Sequence, residues 1–369
     1  MQVYNVEIFD RSFNFIHNYT VEDITYKYDY LTPVENDVMM SYNPDVKIGQ
    51  YIVLRSEDQR YDGVVSSIQV INKEYMTIGY YPLNSLFTFP IYVNRQYQKG
   101  GNLSGQKSIE SIIYDQIENA FIEGHDPGNP YYGTFSTDNL QKIQGLTLTK
   151  TTDTMTWDIG LSIDSSMDYN QDYWTGDLYG DIIPRALKGC SVGVITSLDI
   201  QAQKVYCTVG VITPTIQKIE ADLPQIISRN IVENDTSMMC NKYFYYPNTE
   251  TGELCKVYYR HPDGSWSTSN TDRLTPVIAD KLDALYNVTD TIDTTLFNKY
   301  GAVKYVNLIE LTTLRGVYDI DFGDVAQIIV GNTQYESMLT GYEIVGGTIK
   351  YIFGMIRLDL TKILKRRLN

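Results

Sequence analysis

Two stretches 274 residues apart follow one strand-turn-strand plan, and this repeat constrains the fold more than any other feature. Ile48-Gly49-Gln50-Tyr51-Ile52-Val53 opens the first and Phe322-Gly323-Asp324-Val325 the second; Gly49 stands 12 positions before Tyr61, as Gly323 stands 12 before Tyr335. At the same offset Val64-Val65 meets Met338-Leu339, Ile68 meets Tyr342, Val70 meets Ile344, and the turn Asn72-Lys73 meets Gly346-Gly347. Beyond the turn, one residue inserted in the second copy brings Ile78-Gly79 onto Phe353-Gly354. Side chains alternate across a sheet, so an unrelated register would scramble the apolar face. The repeat therefore predicts two related antiparallel β-barrel modules, one near each end. The hairpins Val3 to Tyr19 and Val192 to Ile212 are the expected front halves, which makes the second module discontinuous.

The rest of the chain divides around these modules into an α+β, mostly β, protein. Strands are expected at Gln2 to Phe9, Phe13 to Tyr19, Ile24 to Tyr30, Tyr51 to Leu54, Val64 to Ile71 and Tyr75 to Tyr80. A glycine-rich break at Gly100-Gly101 to Gly105 ends the first module. From Ser108, Ile109, Ile112, Ile113, Ile117, Ala120 and Phe121 recur at helical spacing up to Gly124. Further strands are expected at Leu146 to Lys150, Met155 to Ile163, Ser191 to Thr196 and Val205 to Ile212, then a meander from Lys242 to Trp266. A helix with Pro276 early and Ile278, Leu282 and Leu285 on one face follows. The expected division is a first barrel over 1–99, an α+β domain over 100–189, a second barrel over 190–239 and 303–369, and a meander-plus-helix insertion over 240–302.

Length and composition narrow the function. A chain of 369 residues exceeds one ordinary core, and 43% hydrophobic against 20% charged residues is globular composition. The chain has 32 Tyr against 3 His and 3 Trp. Tyrosine suits half-buried sheets and wet interfaces, although AT-rich codon usage produces the same excess. A net charge of -15 opposes nucleic-acid binding, yet a negative wall lets DNA pass without sticking. Nothing in Met1 to Asp10 marks a signal peptide, and the apolar runs Ala326 to Val330 and Tyr351 to Ile356 fall far short of the ~20 residues of a membrane helix. Cys190, Cys207, Cys240 and Cys255 lack CxxC spacing and are expected to be small buried hydrophobes rather than metal ligands or disulfides.

Two terminal segments carry a family resemblance. Gln334-Tyr335-Glu336-Ser337-Met338-Leu339-Thr340-Gly341-Tyr342-Glu343, followed by Phe353-Gly354-Met355-Ile356-Arg357-Leu358-Asp359-Leu360-Thr361-Lys362-Ile363-Leu364, resembles the end of siphophage tail-tip hub proteins, short relatives of the tail-associated lysins of phages infecting Gram-positive hosts. The opening, with Val46-Lys47-Ile48-Gly49-Gln50-Tyr51-Ile52 and Gly63-Val64-Val65, is similar to the start of that family. The resemblance implies a baseplate-hub-like fold of four domains, two of them similar barrels that alternate in a homotrimer as a pseudo-sixfold ring. It further implies docking on a hexameric distal tail protein, contacts with receptor-binding and tape measure proteins, a place in the virion after assembly in the host cytoplasm, and a gate through which DNA passes as cargo. Longer relatives carry a peptidase or glycosidase beyond this region; with Lys365-Arg366-Arg367-Leu368-Asn369 as the last residues, the lytic function is not expected here.

No residue stands out as catalytic, cofactor-binding or metal-ligating, and no cofactor is expected. A cysteine peptidase needs a Cys and a His with an orienting acid, and only His17, His125 and His261 are present, each in a turn or strand-edge context. Glycoside cleavage needs two carboxylates at a set separation, which 45 acidic residues do not single out. Asp168-Tyr169-Asn170-Gln171-Asp172 has the alternate acids of a calcium loop but lacks its glycine, and Tyr179 replaces the closing glutamate. Gly100-Gly101 and Gly346-Gly347 read as turns rather than phosphate loops. The chain is expected to be a structural protein and not an enzyme. A carbohydrate-binding receptor module, suggested by Tyr243 to Tyr246, Tyr258-Tyr259 and Trp266, and a tail endopeptidase are the competing readings.

Overall fold

The computed structural model describes residues 3–22, 24–57, 59–94, 109–129, 134–139, 142–151, 173–232, 242–245, 256–260, 266–271, 280–282, 307–355 and 357. The first strands are β1 (Val3–Phe9), β2 (Phe15–Glu22), β3 (Thr25–Asp29), β4 (Asn36–Ser41), β5 (Tyr51–Arg55), β6 (Arg60–Val70), β7 (Tyr75–Pro82) and β8 (Pro90–Asn94). Helix α1 (Ile109–Ile117) precedes β9 (His125–Asn129), β10 (Thr134–Asn139), β11 (Leu146–Lys150) and β12 (Tyr173–Asp177). Helix α2 (Ile183–Cys190) leads into β13 (Val192–Asp199), β14 (Lys204–Val211), β15 (Ile216–Glu220) and β16 (Ile226–Val232). The remaining strands are β17 (Lys242–Tyr245), β18 (Lys256–Arg260), β19 (Trp266–Ser267), β20 (Asp280–Leu282), β21 (Leu308–Leu314), β22 (Val325–Val330), β23 (Thr333–Val345) and β24 (Thr348–Phe353).

The architecture is mostly β, as the sequence predicts; among the described residues α1 is an expected helix, whereas α2 carries no signal read from the sequence. One antiparallel sheet runs β2-β1-β5-β6-β7-β4. The sheet curls as a half-barrel, so that its edge strands approach each other, His17 Nε2 of β2 lying 2.8 Å from Ser41 Oγ of β4. Alternation drives the packing: Tyr4, Val6 and Ile8 of β1, Val38 and Met40 of β4, and Met76, Ile78 and Tyr80 of β7 all turn inward. A second sheet runs β15-β22-β23-β24-β21-β16, with Ile309, Leu311, Ala326, Ile328, Leu339, Tyr351 and Phe353 in its core.

The two sheets are copies at the level of single hydrogen bonds. Gly49 N donates to Val65 O at 2.8 Å and Gly323 N to Leu339 O at 2.9 Å; in return Val65 N reaches Gln50 O at 2.9 Å and Leu339 N reaches Asp324 O at 2.8 Å. The side chain at the same place caps the same turn, Lys47 N donating to Gln50 Oε1 and Asp321 N to Asp324 Oδ2. A bulge falls between Val65 and Ser67 in β6 and between Leu339 and Gly341 in β23. All of these pairs keep the 274-residue offset.

Register corrects the alignment beyond the turn. Val65 faces Tyr80 and Leu339 faces Phe353, so Tyr80 matches Phe353 and the second copy has lost a residue rather than gained one. The hairpin loops are the cause. In the first, Ile71 N donates to Tyr75 O and Asn72 Oδ1 accepts from Glu74 N and Tyr75 N, a three-residue loop. In the second, Val345 pairs with Thr348 across Gly346-Gly347 alone, with Gly346 at φ +54°. The front halves also differ from expectation. The hairpin β13–β14 lies in a separate sheet, β11-β14-β13, because β11 pairs with β14 and the slot beside β22 is already filled. The neighbour of β22 is instead β15, which runs parallel to it, whereas β1 runs antiparallel to β5.

Elsewhere local signals and structure agree more closely. Helix α1 continues as a π-helical turn, Glu118–Glu123, and stops at Gly124, whose φ of +74° makes the left-handed cap that glycine allows. The meander β17–β18–β19 forms as expected. Asp280–Leu282, expected to be helical, instead pairs parallel with β17, whose open edge satisfies its backbone groups; the rest of that expected helix, and the expected strand Met155 to Ile163, lie outside the described residues.

Gly49 and Gly323 both hold positive φ, +88° and +91°, a region that a Cβ makes costly. A Cβ at Gly49 would meet the Arg11 guanidinium no closer than 3.5 Å, whereas at Gly323 it would meet Ile212 Cγ2 at 2.6 Å. Gly49→Ala is expected to cost about 1–2 kcal/mol from backbone strain alone, and Gly323→Ala more. Thermal unfolding of the two variants checks the ranking, and equal shifts would contradict it.

Candidate functional site

The feature that ties the molecule together is β3. It leaves the barrel of its neighbours and pairs antiparallel with the second half of β23, Thr25 to Asp29 facing Val345 to Gly341. Tyr30 N extends the ladder by donating to Thr340 O at 3.0 Å. On its other edge, Asn36 grips the Lys27 backbone, accepting from its N at 2.6 Å and donating to its O at 2.9 Å. One edge of β3 is therefore paired along its length, and on the other the central Lys27 N–H and C=O are both satisfied.

Alternate tyrosines on and just beyond β3, Tyr26, Tyr28 and Tyr30, join two cores, since residues two apart share a side. Tyr26 is buried, stacks on Tyr61 at 4.2 Å between centroids, and packs with Tyr80 and Tyr342 at 6.4 and 6.0 Å. Tyr28 stacks on Tyr342 at 5.5 Å, and Tyr30 on Phe322 at 4.4 Å. The Tyr30 hydroxyl accepts from Val194 N of β13 at 2.7 Å. Desolvation by burial pushes the phenols of Tyr26, Tyr28 and Tyr30 well above the usual tyrosine range, so they stay neutral. These rings are packing elements and not acid-base groups.

Two arginines bolt the same seam. Arg357 donates through Nε to Asp29 Oδ2 at 2.7 Å, through Nη1 to Gly354 O at 2.9 Å and through Nη2 to Thr340 Oγ1 at 2.8 Å. Asp29 also caps Leu31 N at 3.0 Å. Arg315 reaches from the second sheet to the first, donating to Tyr4 Oη at 2.6 Å and to Gly346 O at 3.2 Å. The planar guanidinium fork spreads its donors over three nitrogens and so reaches acceptors that lie apart, which the point-like ammonium of lysine cannot do.

The residues weighed for chemistry do not assemble into a catalytic site among those described. His17 bonds Ser41 at the barrel closure; the side chain of His125, and all of His261, lie outside the described residues. Cys207 is buried among Val205, Val209 and Leu198, and burial pushes its thiol up to about 12, away from the nucleophilic thiolate. The side chain of Cys190, and all of Cys240 and Cys255, lie outside the described residues, as does the Asp168–Asp172 acid loop and the Gly100-Gly101 break. Among the described residues no cluster of His, Cys, Asp and Glu could hold a metal, and no helix is long and apolar enough to cross a membrane. Tyr243 faces Tyr258 across β17 and β18; the side chains of this aromatic group are not among those described. Gly346-Gly347 is a hairpin turn.

Sequence reasoning passed over Arg357, Asp29 and Tyr26. The run Tyr26-Lys27-Tyr28-Asp29-Tyr30 carried a signal, large rings at every second position of a strand too short to bury them in one sheet. What the seam can do is mechanical: hold two copied sheets at a fixed angle through stacked rings and charged bonds.

No protein-family model and no curated protein matches the sequence. Solved structures do. The tail protein from Neisseria meningitidis MC58 matches with a TM-score of 0.52 at 12% identity, covering 95% of this chain and 96% of that one. The 43 kDa tail protein of prophage MuSo2 from Shewanella oneidensis matches with a TM-score of 0.52 at 8% identity, covering 96% and 98%. The chain thus shares, across nearly its whole length, the fold of these tail proteins.

Proposed function

We propose that this chain is a structural protein of a phage tail tip, a homotrimeric hub that closes the distal end of the tail tube and opens for DNA passage. The observation that carries the reading is the duplicated sheet, matched bond for bond, within a fold shared end to end with tail proteins. Three copies of a twofold-repeated chain present six near-equivalent faces, which resolves the mismatch between a trimer and a hexameric distal tail protein. The domains follow the same logic: a barrel over 1–99, an α+β domain over 100–189 whose sheet β13 and β14 join, a second barrel over the rest of 190–239 with 303–369, and an insertion over 240–302. Receptor-binding and tape measure proteins are the further partners, and the virion tail tip is the location. Its acidity, -15 overall, suits a wall that DNA slides past. The role needs no catalytic group.

Native mass measurement on the purified chain, alone and mixed with a ring-forming distal tail protein, tests the reading. Three copies per ring are expected. A chain that stays monomeric and never joins such a ring would sink it.

A further inference from the structure

The duplication exposes one unequal feature, a half-strand that is covered in one copy and open in the other. On the side away from β24, the first half of β23 pairs with β22 and the second half, Gly341 to Val345, with β3. In β6, Arg60 to Val64 pair with β5, and among the described residues no strand pairs with Ser66 to Val70 on that side. Burial follows the difference. Thr340, Gly341 and Ile344 are buried, whereas Ser67, Gln69 and Val70 are exposed, Val70 at 56%.

The open edge has usable chemistry. Ile71 N donates to Tyr75 O, towards β7, so alternation along the strand turns the N–H and C=O of Ile68 and Val70 the other way. Their counterparts at the 274-residue offset, Tyr342 and Ile344, are the residues that face Tyr28 and Tyr26 of β3. Ser66-Ser67-Ile68-Gln69-Val70 contains no charge and no proline, the usual guards of a free edge. Glu35 accepts from the hydroxyls of Ser66 and Ser67 at 2.6 and 2.8 Å and so fixes the bulge where the open half begins.

We propose that the Ser66–Val70 edge receives an antiparallel strand from a second copy of this chain, in the register by which β3 joins β23. The occupant is a second copy because this acceptor is built on the plan of one that the chain already fills with its own strand: same glycine turn, same bulge, same offset. Within one chain the first sheet lends β3 to the second. Repeating that contact between chains, second sheet to first, is head-to-tail and closes into a ring when the rotation allows. The ring's role rests on the hub reading; the strand contact does not.

Val70→Pro removes an edge-facing N–H at an exposed position without touching the β7 ladder, and Val70→Lys keeps the N–H but adds a guard charge. Sedimentation velocity and hydrogen exchange of the peptide spanning Ser66 to Ile71 are read on the full chain. Wild type is expected to self-associate, with exchange in this peptide slowing as concentration rises. Both variants are expected to weaken association at least about tenfold, while Val3→Lys, equally exposed on β1, leaves it unchanged. If Val70→Pro loses its thermal transition, Val70→Lys decides alone. A monomeric wild type, or variants that assemble as wild type does, would overturn the proposal. Association through this edge without binding to a ring-forming tail protein keeps the joint and removes the hub; unimpaired ring docking by both variants does the reverse.

Discussion

Arg357→Ala is expected to destabilise the protein by about 3–5 kcal/mol, because it strands a buried carboxylate. Asp29 is 5% exposed and Arg357 18%, so the pair is little screened. The guanidinium also holds Gly354 O and Thr340 Oγ1, and these lose a donor together with Asp29. The cost lies in the orphaned charge rather than in the net worth of the bridge, which makes a sharper test available. Adding Asp29→Asn to Arg357→Ala is expected to recover part of the loss, a coupling of about 0.5–3 kcal/mol in a double-mutant cycle. Arg357→Lys restores the charge but not the fork and is expected to fall between. Chemical denaturation followed by circular dichroism reads wild type, Arg357→Ala, Asp29→Asn, the double variant and Arg357→Lys; additive single and double variants would show that the two side chains act independently.

Tyr26→Ala is the second large effect, about 3–5 kcal/mol by the usual cost of emptying a buried aromatic site. The ring touches Tyr61 and Tyr80 of the first sheet and Tyr342 of the second, so the cavity opens in the first sheet's core where the second sheet packs on it. Collapse around it is limited, since β3 is held on one edge by β23 and on the other by Asn36. Tyr26→Phe keeps the ring and is expected to cost less than about 1.5 kcal/mol. Thermal unfolding separates the two, and a mild Tyr26→Ala would mean that the sheets are held chiefly by Arg357 and Arg315.

The repeat was legible because it is written in spacing. Gly49 and Gly323 need positive φ, apolar residues alternate behind them, and both requirements act within a dozen residues, so they survive as a pattern in the chain. The glycine stop of α1 is equally local. The one-residue change beyond Val70 was misread because a loop can shorten without disturbing either strand's alternation; only cross-strand pairing, Tyr80 on Val65 and Phe353 on Leu339, reveals which way the register moved.

By itself, then, the sequence determined the mostly β class, the duplicated strand-turn-strand units and their glycine turns, since alternation and backbone strain depend on near neighbours. The tertiary structure alone decided that β3 belongs to the far sheet, that Asp29 meets Arg357 across 328 positions, and that β15 rather than the β13–β14 hairpin completes the second sheet. Those contacts join residues hundreds of positions apart, and what selects them is the competition among open edges and unfilled cores once the sheets have formed, which no local pattern records.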